Sequence, residues 1–163
     1  MSQRIVIDSL AFGREAGSLH GDLNIAGLTR VLDLLADSAG YLTYRVDGRV
    51  SPSNRSQLQL QVDGVLSLCC QRCLEGVEYP LAVRSLLEFV DNEGELTQEA
   101  IEDHSRAFLA AQKELDVVAL IEDEIILALP AAPRHESCAL PKAGQGSAKV
   151  SPFSVLTGLK GKA

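Results

Sequence analysis

Ser56-Gln57-Leu58-Gln59-Leu60-Gln61-Val62-Asp63-Gly64-Val65-Leu66-Ser67-Leu68 is the stretch whose reading decides the fold. Leu58, Leu60, Val62, Leu66 and Leu68 fall on one side of an extended chain. Gln57, Gln59, Gln61, Asp63 and Ser67 fall on the other. A period of two belongs to a strand, and so sharp a division predicts an antiparallel strand with one buried face, bulged at Gly64. Downstream, Val77, Tyr79, Leu81, Val83, Leu87 and Phe89 share one parity, so a second strand follows. The residues between, Cys70-Gln71-Arg72-Cys73-Leu74-Glu75-Gly76, must then be a hairpin tip. Upstream, Leu42, Tyr44 and Val46 alternate with Thr43, Arg45 and Asp47 before the loop Ser51-Pro52-Ser53-Asn54. Leu19, Gly21, Leu23 and Ile25 predict one more strand.

Helical signals are confined to the flanks. Asp8-Ser9 caps a short helix ending near Gly17. Residues 28–36 suit another, with Leu28, Val31, Leu32 and Leu35 on one face. Leu115 to Leu129 predicts a longer helix capped by Asp116, with Val118, Ile121, Ile125 and Leu129 as one stripe. Leu120, Ile126 and Leu127 lie off that stripe, so the helix is either sandwiched or offers Leu120 and Leu127 to a partner. Pro130 and Pro133 end it. Asp91 to Glu114 is polar and acidic, a loop with weak helical periodicity at residues 97–111. The expected class is α+β: an antiparallel sheet from residues 19–25, 41–50, 56–69 and 76–90, a long helix of the C-terminal half packed on it, and short N-terminal helices. Residues 1–138 form one domain in this reading, and 139–163 a flexible basic tail with an apolar C-terminal motif.

The chain has 163 residues, 46% of them apolar, enough for one core. Aromatics are 4% and Trp is absent, which argues against a platform for stacking bases. The net charge of −7 divides unevenly: −11 over residues 1–133 and +4 over 134–163. An acidic body repels RNA, so direct RNA contact needs the basic tail or a local basic patch. The N-terminus lacks a secretory apolar region, and no apolar run reaches membrane-spanning length, so a cytoplasmic setting is expected. There the four cysteines stay reduced, as thiols or metal ligands.

Cys70-x-x-Cys73 at a hairpin tip can grip one side of a zinc ion, and His135-x-x-Cys138 supplies a second soft pair. Together they make a closed structural site. Free thiols or incidental packing explain the same residues, because the separation far exceeds that of a compact zinc finger. A redox CxxC would sit at a helix N-terminus beside a βαβ pattern, which is not visible. Cys69 should face away from Cys70. Glu122, Asp123 and Glu124 spread around a helix and cannot converge, which suits a solvated or stripe-flanking role. No nucleophile with an adjacent base, phosphate loop or dinucleotide fingerprint is present.

These strings combine into a resemblance. Leu68-Cys69-Cys70-Gln71-Arg72-Cys73-Leu74 resembles the C-Q-R-C-L segment of the YceD-like family, the large ribosomal RNA subunit accumulation proteins. Residues 115–133, with Ile121-Glu122-Asp123-Glu124-Ile125-Ile126-Leu127-Ala128-Leu129-Pro130, look like that family's most typical stretch. His135 and Cys138 are similar to its sequel, and Ser151-Pro152-Phe153-Ser154-Val155-Leu156-Thr157-Gly158-Leu159-Lys160 resembles its terminal tag. The resemblance implies a bacterial ribosome-biogenesis factor supporting synthesis, processing or accumulation of large-subunit (23S) rRNA, with no catalytic residues to carry over. A non-enzymatic adaptor to a ribosomal precursor or rRNA-processing protein is the expected role, without membrane or small-molecule substrate. A small zinc-stabilised RNA-binding module is the alternative, and a nuclease or redox enzyme a distant third. In the tail, Phe153, Leu156 and Leu159 share one face of a short helix begun by Ser151 and Pro152, with Lys160 and Lys162 behind. That pattern suits a segment that folds on binding a partner.

Overall fold

The leucine ladder forms β5 (Ser56–Cys69), and Leu58, Leu60, Val62, Leu66 and Leu68 are all buried. Antiparallel pairing sets Val62 opposite Tyr44 of β4 (Tyr41–Val50) and Val83 of β6 (Gly76–Val90), so three strands give the same face to the core. The computed structural model describes residues 4–91 and 105–140. β2 (Ser18–Asn24) pairs antiparallel with the far side of β4. Across the sheet the order is β2-β4-β5-β6-β7, where β7 (Ala107–Ala110) joins β6 in parallel. β3 (Leu35–Asp37) pairs with β5 at Leu68 and Ser67, beyond the point where β4 leaves it. A second, two-stranded sheet joins β1 (Val6–Ile7) to β8 (Leu115–Asp116).

Two α-helices complete the described residues. In α1 (Ser9–Arg14), Asp8 accepts from the N–H groups of Leu10 and Ala11 at 3.0 and 2.9 Å, meeting two of the donors a helix start leaves unpaired. The helix lies so close to β4 that a Cβ on Gly48 would stand 2.3 Å from the Phe12 carbonyl oxygen. In α2 (Val117–Ala128), Asp116 caps Val118 and Ala119 at 3.0 and 3.2 Å. Val117, Val118, Leu120, Ile121 and Ile125 enter the same core as the sheet leucines. No described helix is long and apolar enough to cross a membrane.

The expected α+β arrangement, a long helix on an antiparallel sheet preceded by short N-terminal helices, is corrected. The protein is mostly β, with 46% of the described residues in strands and one of the two α-helices among them only six residues long. The helix expected over 28–36 does not form. Leu28 and Val31 are buried as anticipated, but the chain makes short 3-10 turns and then enters β3. The reason is backbone demand: β5 runs past the end of β4, and β3 pairs with the strand it leaves bare. The first two residues assigned to the later helix pair with β1 instead and Leu129 is the helix's C-cap, which leaves α2 with 12 residues. The acidic stretch read as a loop contains β7, too short to show alternation. Gly64 marks no bulge, since β5 and β6 stay in register through Gly64↔Leu81. A Cβ there would lie 2.4 Å from Leu42 Cδ2, so the glycine makes room for a core leucine. The expected periodicity at 97–111 and the expected tail, 139–163, both lie partly outside the described residues.

Two buried carboxylates brace this frame. Glu88 accepts from Gln57 Nε2 at 2.6 Å, Arg106 at 3.1 Å and Arg55 at 3.3 Å. Glu122, expected to be solvated or to flank the stripe, is buried and accepts from the Arg30 N–H at 2.9 Å. Beside it Asp123 pairs with the Arg30 guanidinium at 2.5 Å, and Glu124 accepts from Ser85 Oγ. The triplet thus fastens α2 to the 28–34 segment and to β6.

Candidate metal centre

The longest hairpin in the fold carries the site at its tip. β5 and β6 pair through Cys69↔Gly76, which leaves residues 70–75 to turn the chain. Cys70 N–H donates to the Glu75 carbonyl at 2.8 Å, and Leu74 N–H closes back on the Cys70 carbonyl at 2.9 Å. Leu74 takes a left-handed φ of 65° to complete the turn. A turn this tight aims the sulfurs of Cys70 and Cys73 to one side.

The other pair arrives from beyond α2. Gln71 N–H donates to the Pro133 carbonyl at 2.9 Å, so the proline-bounded segment is stitched to the tip by its backbone. Arg72 adds a hydrogen bond to the Cys138 carbonyl at 3.3 Å. His135 and Cys138 are thereby set against the hairpin. The ligand atoms of Cys70, Cys73, His135 and Cys138 all lie within 4.8 Å of one another. Cys70 Sγ is 3.9 Å from Cys138 Sγ, and Cys73 Sγ is 3.4 Å from His135 Nδ1. A tetrahedral zinc with ordinary bond lengths has S···S edges of about 3.8 Å and S···N edges of about 3.6 Å.

The histidine is oriented for the same task. Its Nε2 lies 3.0 Å from the Gly76 carbonyl, which can only accept, so Nε2 carries the proton and Nδ1 offers its lone pair to the cage. The charges of the group act on one another. The N–H of Cys73 pulls the Cys70 thiol down to about 5, helped by the N–H groups of Arg72 and His135 against the effect of burial. For Cys73 the Glu75 N–H acts downward, but burial and the thiols of Cys70 and Cys138 outweigh it and leave the group above its ordinary value. The Cys70 sulfur raises His135, with the Gly76 carbonyl adding to it. One depressed thiol beside a raised one is what close sulfurs do when they share a single negative charge. Three sulfurs and one imidazole suit a soft ion such as zinc and not magnesium or calcium. With four protein ligands, a tetrahedral ion would have no open position for water or substrate.

Cys69 is outside this group; its sulfur lies 3.7 Å from the Leu74 carbonyl oxygen. Of the two leucines named as partner-facing, Leu120 is buried in the core and Leu127 is 78% exposed. Phe153, Leu156, Leu159, Lys160 and Lys162 lie outside the described residues. The sequence carried no sign of the two carbonyls that set the cage, those of Gly76 and Pro133.

A mostly-β domain with a Cys₃His group able to hold a metal ion is thus the class that fold and site define. The family model described as large ribosomal RNA subunit accumulation protein YceD matches residues 58–160, and the chain belongs to this family. Among curated proteins, the large ribosomal RNA subunit accumulation protein YceD of Haemophilus influenzae is 30% identical over 142 residues, covering 81% of this chain and 79% of that one. No solved structure matches. The family is named for the accumulation of an RNA, not for a catalysed reaction.

Proposed function

We propose that this chain is a cytoplasmic, non-enzymatic adaptor that supports synthesis, processing or accumulation of large-subunit ribosomal RNA, with one structural zinc ion holding its hairpin tip to the segment after α2. The observation that carries the reading is the four-ligand cage in a member of a family named for large ribosomal RNA subunit accumulation. A cage closed by protein ligands orders a surface and does not activate water. The acidic body, −11 over residues 1–133, favours a protein or protein-bearing precursor as partner over naked RNA. Residues 139–163 supply a second contact in this reading, through Phe153, Leu156 and Leu159 backed by Lys160 and Lys162.

Deleting the gene and measuring large- against small-subunit rRNA tests the role. A lowered ratio, restored by the intact gene, is expected; an unchanged ratio across growth conditions rejects it. Truncation after Lys149 should leave the melting temperature nearly unchanged and abolish rescue. RNA binding by the purified protein at physiological salt would favour the alternative, a zinc-stabilised RNA-binding module.

A further inference from the structure

Leu74 is the residue that folding alone has least reason to place where it stands. It follows Cys73 at the hairpin tip with φ at 65°, and its N–H closes the turn onto Cys70. Left-handed backbone crowds a Cβ against the following carbonyl, which is why glycine or asparagine usually fills such positions. The side chain returns nothing for this strain, being 65% exposed. A strained, exposed, bulky apolar residue on a rigid turn breaks two local rules together, and such breaks gather where a protein meets a partner.

Two further observations at the same end of the sheet point to the same use. Leu34 and Leu140 are 43% and 74% exposed. Leu140 stands two residues beyond Cys138, whose sulfur touches that of Cys70. Leu34 borders, with Gln71, Leu129 and Pro133, a cavity of about 110 Å³, room for one apolar side chain. This end is also acidic. Asp33, Asp37, Glu75, Glu78 and Glu136 are all exposed, with Asp37 and Glu78 on either side of Ser67 in neighbouring strands. Arg134 and the half-buried Arg72, whose guanidinium is turned to the Cys138 carbonyl, oppose them. Carboxylates around leucines repel phosphate and attract a basic protein surface.

We propose that the hairpin-tip end of the sheet, centred on Leu74 with Leu34 and Leu140, is a docking surface for a protein that presents an apolar side chain within a basic surface. This deepens the adaptor reading and rests on it, since it names the surface and the chemistry of the partner. The turn is fixed before the partner arrives, so little ordering remains to oppose binding.

Photocrosslinking in living cells tests it, with benzoylphenylalanine placed in the full chain at position 74 or at position 53. Position 53 lies in the loop at the opposite end of β5. The adduct at 74 is identified by mass spectrometry, and the identified protein is purified and titrated against wild type, Leu74→Gly and Leu74→Asn. The expected result is a ribonuclease-resistant adduct with a basic protein at 74 and none at 53. Both variants should bind that protein at least tenfold more weakly, added salt should weaken wild-type binding, and melting temperatures should be unchanged or higher. A ribonuclease-sensitive adduct, a second copy of this chain, or no adduct at 74 overturns the proposal. So does unchanged affinity in the variants, or a lowered melting temperature in both, which would give Leu74 a folding role. The adaptor reading is judged separately by the rRNA ratio: a Leu74-dependent partner with a normal ratio keeps the surface and rejects the function.

Discussion

Removing the proposed zinc ion should loosen one corner of this protein without unfolding it. The fully buried core ends at Ile125 and Leu129 packs against its edge, so residues 130–140 are not needed to fill it. Residues 130–140 contain no helix or strand. They are tied to the hairpin by the Gln71–Pro133, Arg72–Cys138 and His135–Gly76 hydrogen bonds and by the cage itself. With free zinc a hundred to a thousandfold above its dissociation constant, mass action contributes about 2.7–4.1 kcal/mol. At about 2–4 °C per kcal/mol for a domain of this size, a chelator should lower the melting temperature by roughly 5–16 °C. The purified chain should carry about one zinc, as one closed site requires. Calorimetry with and without chelator gives the shift, and hydrogen exchange gives its location. Exchange should rise at residues 70–76 and 130–140 while the amides of β4, β5 and β6 stay protected. Cys70→Ser combined with Cys73→Ser should reproduce the chelated state. A protein isolated without metal, with melting indifferent to both zinc and chelator, would refute the cage; loss of all β signal on chelation would refute the independence of the core.

Other outcomes follow from single positions. Gly48→Ala puts a methyl against the Phe12 carbonyl and must displace α1 from β4, so urea denaturation should show a loss of about 1–3 kcal/mol. Glu88→Ala leaves Gln57 and two half-buried arginines without their shared acceptor, and about 3–5 kcal/mol should be lost in the same assay. Asp116→Ala removes both hydrogen bonds capping α2 and should cost about 1 kcal/mol with metal content unchanged. Zinc occupancy at fixed free zinc should fall as pH drops, because bound thiolates and a neutral imidazole compete with protons. His135 is raised above its ordinary value, chiefly by Cys70, so the imidazole begins to compete at higher pH than a free histidine would. Titration with a zinc indicator follows the loss.

Much of the sheet could be read from the chain because its strands are long and one face of each is dry. Fourteen residues of β5 and fifteen of β6 leave little doubt about period or pairing. The same reasoning failed at Leu28–Leu35, where apolar residues at helical spacing serve a turn and a short strand, since their partners are Leu68 of a distant strand and Glu122 of α2, through Arg30. It failed again at β1, β7 and β8, strands of two to four residues whose existence depends on a neighbour and not on their own pattern. The four metal-ligand types were legible as two spaced pairs. What joins them is a main-chain bond from Gln71 to Pro133, and backbone carbonyls carry no letter in a sequence.

The separation of the two halves of the cage has a consequence for the chain while it is being made. Cys70 and Cys138 are 68 residues apart. At bacterial elongation rates of roughly 5–20 residues per second, Cys70 leaves the synthesis machinery about 3–14 seconds before Cys138 does. The β5–β6 hairpin needs only local contacts and can form in that interval, presenting two thiols that hold half a coordination sphere. Until His135 and Cys138 follow, those two thiols would stand without the other two proposed ligands, open to oxidants and to any soft metal. With the proposed zinc, the nascent chain would be the species most exposed to a shortage of the ion, since it would hold only half the site while the finished molecule would hold all four ligands.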